Sequence, residues 1–206
     1  MKQYVKIFSC ICCFLLISTF VALHADAYEP VASEVVFGLV AEDIVTSNGP
    51  CRRVNFNLKK GPTANPVSVS VTIKYDRTVY NAVGEQDIKA SPNLNNKTLS
   101  TRFDPKKPDV IGVVVGLENF NTEILPEGYL FYVDLVTLPN VTPGSDSIYL
   151  SGNYADDGPN QACTADGSDL TVLSESGVTF NNGNSVATVD ESGGSSPRTC
   201  FINALE

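Results

Sequence analysis

Between Val67 and Tyr75 every second residue is apolar. Val67, Val69, Val71, Ile73 and Tyr75 alternate with Ser68, Ser70, Thr72 and Lys74. In an extended chain successive side chains point to opposite faces, so this run presents one apolar face and one polar face. On a helix the same residues would be smeared around the axis and bury no continuous stripe. The run therefore has to be a strand with one face in a core and one in water, and the core needs further strands to close it.

The rest of the chain supplies them. Residues 52–60 alternate Val54, Phe56 and Leu58 against Asn55, Asn57 and Lys59, and residues 129–138 place Phe131, Val133 and Leu135 on one face. Residues 34–41, 147–152 and 170–173 are further strands, with 178–180 a short final one. Residues 110–117 are apolar almost throughout and read as a strand buried on both faces. Turns are marked by Asn48-Gly49-Pro50, Lys60-Gly61-Pro62, Pro126-Glu127-Gly128 and Thr142-Pro143-Gly144, which break pairing or fix φ. The fold class is all-β: a two-sheet, antiparallel-dominated β-sandwich of the jelly-roll kind. Its shared core is expected to hold Val69, Val71, Ile73, Val113, Val115, Phe131, Val133 and Leu135.

The two ends read differently. Lys2 and Lys6 precede an apolar run from Ile7 to Leu23, and Ala25-Asp26-Ala27 follows as a small-x-small cleavage pattern. Residues 1–27 are thus expected to be a cleaved signal peptide, leaving no membrane span in the mature chain. Residues 28–180 are the sandwich. Residues 181–206 are rich in Asn, Gly and Ser and read as a flexible tail, because they carry too little apolar surface to offset the cost of ordering. The chain is expected to be secreted, either extracellular or in the cell envelope.

Charge and cysteine usage narrow the function. The net charge of −9 excludes nucleic acid as a partner, which would need clustered Lys and Arg. The single histidine, His24, lies in the leader. The mature chain therefore lacks the usual base for a Ser or Cys nucleophile, and no two carboxylates stand out as an acid–base pair. The expectation is a protein that is not an enzyme. Three cysteines remain after the leader: Cys51, Cys163 and Cys200. They lack C-x-x-C spacing, which argues against zinc. One disulfide and one leftover thiol are expected. Cys51 and Cys163, both at strand borders inside the module, are the expected pair; Cys163 with Cys200 is the alternative.

Two groups of residues could carry binding. Asp156, Asp157, Asp166 and Asp169 lie in the densest polar stretch, a source of the oxygen ligands that calcium needs; Asx-turns would use the same residues for a different reason. No other cofactor is expected. Tyr80, Phe103, Phe120, Tyr149 and Tyr154 fall outside the core alternation and are the rings on which a sugar could stack.

The order of segments resembles the cohesin-like modules of bacterial extracellular proteins. Four features carry the resemblance. Residues 52–59 lead into a strand ending in Tyr75-Asp76, with Val79-Tyr80 beyond it. A polar crossing, residues 91–100, follows. Residues 110–117 with Glu118-Asn119 match the middle strand and its exit. Ile124-Leu125-Pro126 and the Gly128-x-Leu130 motif lead into a long core strand. The resemblance covers residues 34–180. It departs from the family at Arg77, where proline is usual, and in the lack of any tryptophan. It implies a binding module in polysaccharide-related assemblies. Its partner would be either a small calcium-loaded dockerin held on one sheet face or, as in related sandwiches, a carbohydrate. A structural or adhesive surface protein without a soluble ligand is the alternative.

Overall fold

The computed structural model describes residues 28–46, 49–94, 97–117, 122–144, 146–151, 160–176, 178–180 and 188–190. They form twelve strands: β1 (Glu34–Thr46), β2 (Gly49–Lys60), β3 (Ser68–Tyr75), β4 (Ile88–Ala90), β5 (Lys97–Asp104), β6 (Lys107–Leu117), β7 (Gly128–Val136), β8 (Ile148–Leu150), β9 (Gln161–Cys163), β10 (Thr171–Ser176), β11 (Thr179–Phe180) and β12 (Thr188–Asp190). Among the described residues the one helical element is a single 3-10 turn, Glu85–Asp87, and no helix is long and apolar enough to cross a membrane.

The strands make two sheets. The larger runs β12-β10-β1-β2-β7-β4, with β11 also on β1; the smaller runs β5-β6-β3-β8, with β9 also on β3. All pairings are antiparallel except β1 with β10 and with β11. This is the expected antiparallel-dominated sandwich.

Alternation sets the core. Phe37, Leu39 and Ala41 of β1 face Leu58, Phe56 and Val54 of β2, and Val54 and Phe56 face Val133 and Phe131 of β7. From the other sheet come Val69, Val71 and Ile73, opposite Val115, Val113 and Ile111. All eight expected core residues lie in one buried cluster. At its centre Phe56 stacks on Phe131 (centroids 4.9 Å, planes 9° apart) and meets Phe37 edge-on at 5.1 Å. Such ring pairs add roughly 0.5–1.5 kcal/mol to the area they bury.

One end of the core is closed by a polar plug. Arg52 points inward, like Val54 and Phe56, and is buried. Its Nε and Nη2 donate to Asp43 Oδ1 and Oδ2 at 2.8 and 3.1 Å. Its Nη1 donates to the carbonyls of Pro143 and Gly144 at 3.4 and 3.3 Å and to Tyr80 Oη at 3.5 Å. Tyr80 Oη in turn shares a 2.9 Å bond with Ser147 Oγ.

Several elements differ from the sequence expectation. Residues 97–104, expected within or just after a polar crossing, form β5. Its inward Leu99, Thr101 and Phe103 pair with Val115, Val113 and Ile111 of β6; two apolar residues in eight are a weak local signal. The strand β6 is not buried on both faces. Ile111, Val113 and Val115 are inward, whereas Val114 is 44% exposed on the outer face. The expected tail is not all tail: Thr188–Asp190 adds to the edge of the larger sheet, opposite Ser176–Ser174 of β10. That pairing uses backbone groups, which apolar content does not report. The leader and the remainder of the tail lie outside the described residues.

The expected Cys51–Cys163 bridge does not form. Cys51 is a buried free thiol, and Cys163 is disulfide-bonded. Alternation explains why. Cys51 stands opposite Ile44 and Val136, on the face of β2 turned away from the core. Cys163 stands opposite Ser68, on the outer face of β3. The two side chains leave opposite outer faces of a sandwich whose sheets lie roughly 10 Å apart, beyond the roughly 7 Å between Cα atoms that a disulfide tolerates.

Candidate functional site

The two outer faces of the sandwich are chemically unlike. On the larger sheet, long charged side chains cross the surface and satisfy one another. Arg53 Nε and Nη2 hold both oxygens of Asp134 at 2.8 and 2.9 Å, with the guanidinium 4.0 Å above the ring of Tyr132. Lys59 Nζ lies 3.4 Å from Glu175 Oε1. Glu175 occupies the space that a Cβ on Gly38 would need. Beneath this layer, burial and the negative charge of Asp134 push the Cys51 thiol up to about 11, so it stays protonated and unreactive near neutral pH.

The smaller sheet presents a flat face of small side chains. Cross-strand pairs share a face, so the register places Ser70 beside Val114 and Thr72 beside Gly112. On the other flank of β6, Thr98, Ser100 and Arg102 stand beside Gly116, Val114 and Gly112. Val114, Ser100 and Arg102 are exposed. A Cβ on Gly112 or Gly116 would come no closer than 3.4 Å to a neighbour, so sterics do not demand these glycines. Their effect is to leave a low surface around Val114. Ser, Thr, Val and Gly also lose little side-chain freedom when covered, which makes such a face inexpensive to dock on.

The strand edge of this sheet is interrupted. β9 pairs with β3 at Ser68–Ser70 and β8 at Ile73–Tyr75. In the gap, Asn160 Oδ1 accepts from the Thr72 N–H at 2.9 Å, and Ser151 N donates to the Thr72 carbonyl at 2.8 Å. Ser151 and Asn160 thus satisfy both backbone groups of Thr72. At the β8 end of the face, Lys74 and Tyr149 stand side by side. They border a depression of about 500 Å³ lined also by Asp76, Arg77, Asp109 and Asp146.

The expected site residues fare unequally. Tyr149 is 37% exposed on this face. Tyr80 is fully buried in the Arg52 plug, because Val79 and Tyr80 fold back over the end of the sandwich through hydrogen bonds to Asp76; it cannot contact a sugar. Phe103 is inward-facing and packs against the core. Phe120, Tyr154, Asp156 and Asp157 lie outside the described residues. Asp166 accepts from Thr164 Oγ1 and from Ser168 N, the latter at 3.2 Å, and these bonds hold its carboxyl below the usual range. That is the Asx-turn use of the residue. Asp169 pairs in a bridge with Cys163. Among the described residues no group of three or more His, Cys, Asp or Glu side chains converges. The residues of the flat face went unnoticed in the sequence. The available signal was Gly112-x-Val114-x-Gly116, which counts as apolar in a sum but exposes one small face at period two.

No family model matches the chain, and no curated protein is similar to it in sequence. Solved structures do match in fold. One is the sixth cohesin of scaffoldin B from Acetivibrio cellulolyticus, solved in complex with a mutant Cel5 dockerin; it is 14% identical, with 70% of this chain and 99% of that one covered at a TM-score of 0.50. A type II cohesin from Bacteroides cellulosolvens is 12% identical, with 72% and 99% covered at a TM-score of 0.50. At these identities the likeness is one of architecture, and the architecture of this chain is a cohesin-like β-sandwich.

Proposed function

We propose that this chain is a secreted, non-catalytic docking module that holds a dockerin-like protein partner on the outer face of β5, β6, β3 and β8. The observation that carries the reading is the flat Ser70–Val114–Ser100 surface with Gly112 and Gly116 around it. The opposite sheet is covered by paired charges, whereas this one offers an apolar centre with small polar neighbours. The shared fold supports a protein partner, since a cohesin of that fold is seen bound to a dockerin. The expected secretory leader and the acidic composition support an extracellular setting.

The test is calorimetric titration of the chain with a panel of dockerin modules, beside a pull-down from the secretome of its source. Val114→Asp places a charge at the centre of the face. It should weaken binding at least tenfold, because an unpaired charge in a covered interface is costly. Val45→Asp, at an exposed hairpin end of the other sheet, should leave binding unchanged. Equal affinity of the Val114→Asp and parent proteins would overturn the placement. Failure to bind any protein partner would overturn the function.

A second reading has its own observation. The exposed ring of Tyr149, with Lys74, Arg77, Asp109 and Asp146 around the depression, joins an apolar plate to hydrogen-bonding groups as a sugar site would. A glycan array with the parent and Tyr149→Ala proteins separates the two: glycan signal lost in the variant favours the sugar.

A further inference from the structure

Tyr129 and Tyr132 stand three positions apart in β7, yet both leave its outer face. Strict alternation would send them to opposite faces. The register accounts for the difference. Phe131 stands opposite Phe56 and Tyr129 opposite Asn57, with the shift between Phe56 and Asn57, so Leu130 is an extra residue in β7. Leu130 and Phe131 are both fully buried, and the Leu130 carbonyl accepts from Ser91 N at 2.8 Å, just past β4. The bulge turns Tyr129 outward beside Asn57, where it is 42% exposed. Bulges of this kind re-aim side chains next to functional sites.

The surroundings of the two rings fit an uncharged, hydroxyl-rich ligand. Tyr132 stands between Asn55 of β2 and Lys89 of β4, with one face of its ring under the Arg53 guanidinium. The hydroxyls of both tyrosines and the carboxamide of Asn57 have no hydrogen-bond partner among the described residues. A carboxamide and a phenol each donate and accept, as a sugar hydroxyl does in return. Charge on this face cancels: Arg53, Lys59 and Lys89 are matched by Glu42, Asp134 and Glu175, on a chain whose net charge is −9. Neither an anionic nor a cationic polymer is drawn to such a face. The electron-rich face of a tyrosine ring instead attracts the weakly positive C–H groups on the flat side of a sugar. Asn55 and Asn57 lie two residues apart on β2, about 7 Å, so Tyr132 and Tyr129 beside them can meet successive parts of one chain. A proline-rich peptide, another ligand of exposed rings, offers carbonyl acceptors but few donors, and would leave the Asn57 carbonyl unpaired.

We propose that Tyr129 and Tyr132, with Asn55 and Asn57, form a carbohydrate-binding surface that takes a neutral polysaccharide chain on the outer face of the larger sheet. The rings supply the stacking contact, and the amides and phenols fix the hydroxyls of the sugar. The assignment does not rest on the docking reading. A protein held on β5, β6, β3 and β8 leaves β7 and β2 open, so the module can carry a polysaccharide on one sheet and a protein on the other.

The test is affinity gel electrophoresis of the full chain, expressed for export, with hydroxyethyl cellulose, mixed-linkage β-glucan and galactomannan as neutral probes. At least one is expected to retard the parent protein. Tyr129→Ala should weaken that retention about fivefold or more, while Tyr129→Phe, which keeps the ring, should retain most of it. Val45→Asp, at the exposed hairpin end of the same sheet, should leave it unchanged. No retention by any probe, full retention in Tyr129→Ala, or loss only in Tyr149→Ala overturns the assignment. So does a proline-rich peptide, in place of the polysaccharides, whose binding Tyr129→Ala abolishes. A second measurement needs no variant. NMR titration of the parent with the hexasaccharide of the retained polymer should shift the side-chain amide signals of Asn57, and unmoved signals overturn the proposal.

Discussion

Replacing Arg52 separates two explanations of how the polar plug stabilises the sandwich. Its side chain is 6% exposed, while that of its partner Asp43 is 66% exposed. In Arg52→Ala the Asp43 carboxylate simply returns to water, so the ion pair itself contributes little. What is lost is the buried stem. The two methylenes beyond Cβ, at about 0.8 kcal/mol each, come to about 1.6 kcal/mol. The acceptors left behind, the carbonyls of Pro143 and Gly144, held bonds of 3.4 and 3.3 Å to the guanidinium, long enough to be weak. Tyr80 keeps Ser147. Relief from desolvating the guanidinium offsets part of the lost hydrogen bonds. The expected net loss is about 1.5–2.5 kcal/mol, or about 3–10 °C in Tm for a domain of this size. Arg52→Met keeps most of the stem and discards the charge, so it should cost about 1 kcal/mol or less. Urea unfolding of both variants, compared at constant m value, is the assay. Equal losses in Ala and Met would refute the reasoning, because the hydrogen-bonded head and not the stem would then carry the stability.

Two further outcomes follow from the thiol and the loop carboxylates. Cys51, pushed up to about 11 by burial and by Asp134, has a thiolate fraction of about 10⁻³ at pH 8. Iodoacetamide should leave it unmodified in the folded protein and label it fully in urea, as read by intact mass; rapid labelling without denaturant would show that the thiol is accessible. Asp76 is held below its usual pKa by hydrogen bonds from Thr78 Oγ1 and Thr78 N at 2.6 and 2.7 Å. A carboxyl depressed in the folded state contributes stability that is present above its unfolded value, near pH 3.9, and lost as pH falls through the lower folded value. In an NMR titration, Thr78→Val should move the Asp76 midpoint upward, and an unchanged midpoint would show that the hydroxyl has no such role.

The strand content was legible in the sequence because alternation is a local property. Val69, Val71 and Ile73 share a face whatever packs on them, and so do Val54, Phe56 and Leu58. The segments that escaped notice, β4, β5, β9 and β12, are short or carry few apolar residues of their own and depend on the strands they pair with. β5 depends on Ile111, Val113 and Val115 of β6 to cover Leu99 and Phe103. β12 depends on backbone pairing with β10.

Alternation states which residues lie together but not which face is covered, and the docking face turns on that second question. Val114 sits in a run so apolar that burial on both sides was the natural reading, yet its outer neighbours are Ser70 and Ser100. Tyr80 stood outside the pattern and looked like a surface ring, but the fold turns it into the Arg52 plug. Cys51 and Cys163 both lie at strand borders and looked ready to pair, until the register placed them on opposite outer faces. The half-buried, all-β character and most of the core could be read from the residues alone, because side-chain direction along a strand follows from covalent geometry. Which face is open, which tyrosine is exposed and which cysteine is bonded depend on how the strands are paired and layered. Those outcomes are set by contacts between strands that the chain brings together from tens of residues apart.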